Sequence, residues 1–126
     1  MNNSCDVLII HPDYATRMEI SAVAVRCGLR WIAVEDAEAG CRVLQWRPCG
    51  AIVCALDLGK YSAISLMQAL RRSRMKIPFL VLIDGDPDEP AGLEARLEAD
   101  GWVSNPRDLA SALTGILRPS RLAIPG

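Results

Sequence analysis

A side-chain carboxylate can accept a phosphoryl group and an imidazole can hold a soft metal, and this chain places both just past short apolar runs. His11, with Pro12 and Asp13, follows Val7-Leu8-Ile9-Ile10, while Asp57 lies two residues beyond Ala55 at the end of Ala51-Ile52-Val53-Cys54-Ala55. Phosphoryl transfer to Asp57 would need a magnesium ion to neutralise the phosphate, and cationic or hydroxyl donors to hold its oxygens. Pro12 offers no ligand, and the imidazole of His11 is a poor one for so hard an ion. A soft metal held by His11, Asp13 and Asp57 is a second arrangement, although a histidine beside a proline reads more simply as a loop residue. Cys5, Cys27, Cys41, Cys49 and Cys54 are odd in number and form no C-x-x-C pair, so they read as buried thiols and not as a zinc site or disulfide framework.

These groups need a scaffold, and the chain lays one out. A length of 126 residues suits one domain with a two-sided sheet. The net charge of −1 leaves no global electrostatic pull toward nucleic acid or an anionic membrane, so neither is expected as a direct partner. The first residues carry no positive segment, and the apolar run behind them is too short for a leader or a span, so a cytoplasmic protein is expected.

Short apolar runs alternate with helix-period segments, the pattern of a parallel sheet wrapped by crossover helices. Strands are expected at 6–10, 30–35, 51–55, 79–83 and 101–104. Three of them are continuously apolar, as strands covered on both faces are, and belong at the centre. Helices are expected at 14–27, ending at Gly28; at 37–46, ended by Arg47-Pro48; after the cap Ser62, with Leu66, Met67 and Leu70 inward; at 91–99, with Pro90 in its first turn; and at 107–117, with Leu109, Leu113, Ile116 and Leu117 inward. The domain is expected to span 1–118, with 119–126 a loose tail or the start of a linker. Whether the chain is a whole protein or the first domain of a longer one stays open.

Taken with Leu56-Asp57-Leu58-Gly59, Ile77-Pro78-Phe79-Leu80-Val81-Leu82 and Ala99-Asp100-Gly101-Trp102-Val103-Ser104-Asn105-Pro106, this alternation resembles the response-regulator receiver domain of the CheY-like kind over roughly residues 6–117. The resemblance implies an α/β, flavodoxin-like (βα)5 three-layer sandwich with parallel sheet order 2-1-3-4-5 and a site at the carboxyl ends of strands one, three and five. It also implies a magnesium pair at His11 and Pro12, an acceptor Asp at Ala55, a hydroxyl at Ile83 and a lysine at Asn105. None of the five positions holds the residue required. The flanking residues set the register on Ala55, which leaves Asp57 about 6 to 7 Å further along. The resemblance therefore carries over the scaffold and withdraws the chemistry.

The expected function is a phosphorylation-independent pseudo-receiver of two-component type, not an enzyme, acting by protein contact through its helix 4, strand 5 and helix 5 face. No cofactor is expected. The alternative is a phosphorelay receiver that uses Asp57 and magnesium, and a third reading makes the crevice near Ala55 and Ile83 an apolar ligand pocket. Trp102 and Arg107 are the candidate anchors for a protein partner, which would be a histidine kinase, an effector domain or a second copy. Trp102 half-buried against Leu97 and Leu109 is the plainer reading of that residue. The resemblance further implies a cis bond at Asn105-Pro106. Arg71, Arg72, Arg74 and Lys76 form a basic cluster that suits a helix C-terminus, and Asp84, Asp86, Asp88 and Glu89 form an acidic turn with Gly85 and Pro87, expected opposite the crevice.

Overall fold

The computed structural model of the chain describes residues 5–86 and 88–122. Five strands, β1 (Cys5–Ile10), β2 (Trp31–Val34), β3 (Cys49–Ala55), β4 (Phe79–Leu82) and β5 (Gly101–Val103), alternate with helices α1 (Tyr14–Arg26), α2 (Ala37–Trp46), α3 (Ala63–Arg72), α4 (Pro90–Glu98) and α5 (Leu109–Leu122), with a 3-10 turn at Pro106–Asp108 before the last helix. The strands are all parallel, in the order 2-1-3-4-5.

The continuously apolar runs become the three central strands because each must feed two cores. Alternate side chains point to opposite faces of a sheet. Leu8, Ile10, Ile52, Cys54, Phe79 and Val81 pack with Leu66, Met67 and Leu70 of α3 and Ala95 of α4. Val7, Ile9, Val53, Leu80 and Leu82 pack with Ile20, Val23 and Ala24 of α1 and Leu109 and Leu113 of α5. Complete burial of such side chains on both faces is the main favourable term in folding, at about 25 cal/mol for each Å² of apolar surface removed from water.

Local chemistry sets the helix starts. Asp13 caps α1, its carboxylate accepting from Thr16 N at 2.9 Å and from the Thr16 hydroxyl at 2.7 Å. Asp36 caps α2 by accepting from Ala39 N at 2.7 Å. Ser62 and Ser65 form a reciprocal capping box on α3, and Pro90 opens α4. Helix α1 stops where Gly28 turns to φ +72°, a conformation that only glycine adopts without strain.

Several expectations are corrected. Strand β3 begins at Cys49, earlier than the turn-like Pro48-Cys49-Gly50 suggests, because Cys49 is in register with Cys5. Helix α5 begins only after the 3-10 turn and runs on past Pro119 to Leu122, so the four-residue stretch 119–122 of the expected tail is helical. A proline removes a single backbone bond, and the docked stripe upstream carries the helix across it. Residues 123–126 and Pro87 lie outside the described residues. No cis peptide bond occurs among the described residues, so the expected cis step at Asn105-Pro106 is absent; trans is the default for X-Pro.

Candidate functional site

The carboxyl ends of β1, β3, β4 and β5 lie along one edge of the parallel sheet, the edge where the crevice is expected. The residues that reach it are His11, directly after β1; Ala55, the last residue of β3; Ile83, directly after β4; and Asn105, in the loop after β5. Ala55 and Ile83 are buried, at 5% and 1% exposure, in one cluster with Leu58, Ala63 and Ile64. The Ile83 N–H is spent on Val103 O at 2.9 Å. An uncharged, apolar floor lies where two oxygen-bearing side chains would have to stand.

His11 is the polar exception. It is 5% exposed, and its Nδ1 accepts from Asp13 N at 3.0 Å, so in the neutral ring the proton sits on Nε2. That nitrogen is buried without a hydrogen-bond partner. Asp84 Oδ2 stands 3.8 Å away, too far for a hydrogen bond. Burial holds the His11 pKa below its usual value, against the pull of Asp84 and Asp13. Arg17 holds the turn from outside, its Nη1 donating to the carbonyls of His11 at 2.7 Å and Pro12 at 3.1 Å. The acidic turn therefore does not lie opposite the crevice, as its sequence position suggested. Asp84 lies two residues beyond the end of β4 and sits beside His11.

The remaining carboxylates are occupied locally. Asp13 caps α1, and the hydrogen bonds of that cap hold its carboxyl below the usual range. Asp57 is exposed, accepts from Gly59 N at 2.8 Å in a tight turn, and forms an isolated bridge with Ser62. Among the described residues no three His, Cys, Asp or Glu side chains converge as metal ligands. The donor set does not fit magnesium: Pro12 has no donor, the free His11 nitrogen is soft and carries the proton, and Asp13 and Asp57 point into their own turns.

Trp102 and Arg107 are not brought together. Trp102 is registered with Val81 and faces the α4 layer, where Arg96 Cζ lies 4.5 Å from its ring centroid; Arg96 also reaches Asp88 at 3.0 Å. Packing against Leu97 and Leu109 is not observed, because Leu97 is 86% exposed and Leu109 belongs to the opposite layer. Arg107 instead lines a cavity of about 300 Å³ with Thr16, Ile20, Val23, Leu82 and Val103, on the α1 and α5 side; Ile83 touches that cavity and Ala55 does not. Asn105 Oδ1 accepts from Arg107 N at 3.0 Å, closing its own turn. Of the basic cluster, Arg71 is used internally, paired with Glu98 at 2.8 Å across α3 and α4.

Two features escaped the sequence reading: the contact of Asp84 with His11 and the cover of Arg96 over Trp102. Both depend on how loop and helix residues are placed beyond the strands, which the sheet order by itself does not state.

No protein-family model and no curated protein matches the chain. Solved structures do. A response-regulator receiver domain from Clostridium thermocellum is 13% identical over 94% of this chain and 98% of its own length, with a TM-score of 0.79. The signal receiver domain of a histidine kinase from Syntrophus aciditrophicus is 17% identical over 92% of each chain, at 0.79. A chemotaxis response regulator of Vibrio cholerae is 20% identical over 91% of this chain and 100% of its own, at 0.77. The sheet order, the two helical layers and these likenesses agree: the fold of this chain is that of the response-regulator receiver domains.

Proposed function

We propose that this chain is a signalling module of the two-component type that works by protein contact, without catalysis and without phosphoryl control. The observation that carries the reading is the methyl group of Ala55 at the buried tip of β3, in one apolar cluster with Ile83. A methyl group cannot take a phosphoryl group, and a site without oxygen ligands cannot hold the ion that the transfer requires. The output then rests on a fixed surface and not on a population shift between two states.

The surface that supports this reading is α4 with β5. Leu93 and Leu97 lie one helical turn apart on α4 and are exposed, and Trp102 of β5 is 37% exposed under the guanidinium of Arg96. Aromatic and arginine side chains in such settings carry a disproportionate share of binding energy. A kinase, an effector domain or a second copy is the partner class, and no magnesium is required.

Incubation with acetyl phosphate and magnesium, followed by intact-mass measurement, tests the first half; the chain should gain no phosphoryl group. A gain that disappears in Asp57→Asn would establish the phosphorelay reading instead. For the second half, Trp102→Ala should weaken partner or self-association by about 2 kcal/mol, measured by titration. Unchanged affinity would move the interface elsewhere.

A further inference from the structure

The amino ends of β1 and β3 bring two thiols into direct contact. Cys5 and Cys49 are direct register partners on neighbouring parallel strands, and their sulfurs lie 2.8 Å apart. That separation is well inside ordinary sulfur–sulfur contact and about 0.8 Å beyond a covalent bond. Register partners on adjacent strands have Cα atoms about 4.8 Å apart, within the span that a disulfide bridges.

The backbone holds the pair in place. Cys5 N donates to Pro48 O at 3.0 Å. Behind it the strands approach so closely that a Cβ on Gly50 would stand 2.9 Å from Asp6 O. Bond formation therefore needs side-chain rotation and no movement of β1 against β3. The other three cysteines have no such neighbour: Cys54 is deep in the core with its thiol directed to Ala55 O at 3.2 Å, and Cys27 and Cys41 are partly buried on helix-packing surfaces.

We propose that Cys5 and Cys49 form a reversible dithiol–disulfide site that takes a small disulfide as its oxidant. One sulfur of the pair, as thiolate, attacks the S–S bond of the small disulfide, forming a mixed disulfide and releasing one thiolate. The second sulfur gives up its proton and attacks the first, expelling the other half of the oxidant as a thiolate. The two protons end on the released thiols, so the protein loses two hydrogens and the small disulfide is reduced to two thiols. The hydrogen bond shared with Cys49 holds the Cys5 thiol below its usual pKa and pushes the Cys49 thiol up, which makes Cys5 the sulfur that attacks first. The site stands at the end of the sheet away from the crevice and is independent of the function proposed above.

The test uses the full chain, reduced and then freed of reductant, with oxidised glutathione as the probe under native conditions. Intact mass should show the loss of two hydrogens with no glutathione retained, and a non-reducing peptide map should join Cys5 to Cys49. Dithiothreitol should restore the original mass. The variant Cys27→Ser/Cys41→Ser should behave identically, and Cys49→Ser, which lacks the second sulfur, should form no internal bond and stop at a mixed disulfide of Cys5 with one glutathione. In urea the preference for this pair should disappear, because the fold and not the sequence brings the sulfurs together. In the parent chain, retention of all five thiols, a stable glutathione adduct, a link through Cys27, Cys41 or Cys54, or the same preference in urea would each overturn the proposal.

Discussion

The two ends of one sheet handle polar chemistry in opposite ways. At the amino ends of β1 and β3 the backbones are so close that Gly50 has no room for a side chain, and two thiols meet at 2.8 Å. At the carboxyl ends a methyl group and an isoleucine fill the floor, one buried imidazole nitrogen goes unpaired, and Asp13 and Asp57 bond into turns of their own. The receiver-like scaffold does not depend on polar side chains at this end of the sheet, because Ala55 and Ile83 belong to one of its two apolar layers. An apolar group buried there needs no partner, whereas a lone carboxylate would.

The sharpest way to break this comparison is to put the carboxylate back. Ala55→Asp would bury a charge among Leu58, Ala63 and Ile83 with no cation or hydroxyl to receive it. A loss of about 4 kcal/mol is expected at pH 7, read from the urea midpoint. Burial raises the folded-state pKa of such a carboxylate, so the penalty should shrink as the pH falls toward the carboxylate range. A variant as stable as the parent would mean that the crevice retains polar capacity.

At the other end, Gly50→Ala should cost about 2 kcal/mol by forcing β1 and β3 apart, since the new methyl meets the fixed carbonyl of Asp6 and not a yielding side chain. The same substitution should slow formation of the Cys5–Cys49 bond. A neutral Gly50→Ala would mean that this end is looser than its geometry indicates.

Much of this contrast was legible in the chain itself, and the legible part follows from local physics. Val7-Leu8-Ile9-Ile10 and Ala51-Ile52-Val53-Cys54 announce two-sided burial by leaving no polar position in the alternation. Ser62 and Pro90 announce helix starts through their own backbone preferences. Ala55 at the tip of β3 followed from counting between flanking turns. What was not legible depends on register between segments far apart in the chain. Cys5 and Cys49 looked scattered because nothing local states that they are opposite one another. Asp84 looked remote from His11 because β3 lies between β1 and β4, and strand order alone does not say that the loop after β4 reaches back to the end of β1. Trp102 looked like a partner of Leu109, yet strand alternation turns it to the other layer, under Arg96.

His11 gives a finer test of the crevice. Its folded-state pKa is depressed by burial, so the unfolded chain binds its proton first as the pH falls. Stability attributable to the neutral ring is therefore complete above the ordinary histidine pKa of about 6.5 and is lost progressively as the pH drops from there toward the folded value. One such group gives a slope of at most about 1.4 kcal/mol per pH unit. Urea midpoints between pH 7 and pH 5 should show it, and His11→Phe should flatten it. A slope of opposite sign would mean that protonated His11 is held by Asp84, turning the unpaired nitrogen into half of an ion pair.

The smallest effect expected is none at all, and it discriminates most cleanly between a silent crevice and a working one. A crevice that crowds carboxylates gains stability when a divalent cation relieves their repulsion, and the gain grows with the logarithm of cation concentration over its dissociation constant. Here Pro12 and Ala55 remove two of the oxygen ligands, and Asp13 and Asp57 are committed to Thr16 and Gly59. With no preformed oxygen shell, millimolar magnesium should leave the melting temperature unchanged, and the Ala55→Asp variant alone should not create a magnesium response because the position of Pro12 stays empty of ligands. A rise of several degrees in the parent chain would require Asp57 and Asp13 to leave their turns and converge on the ion. That outcome would return the crevice to phosphoryl chemistry and remove the asymmetry between the two ends of the sheet.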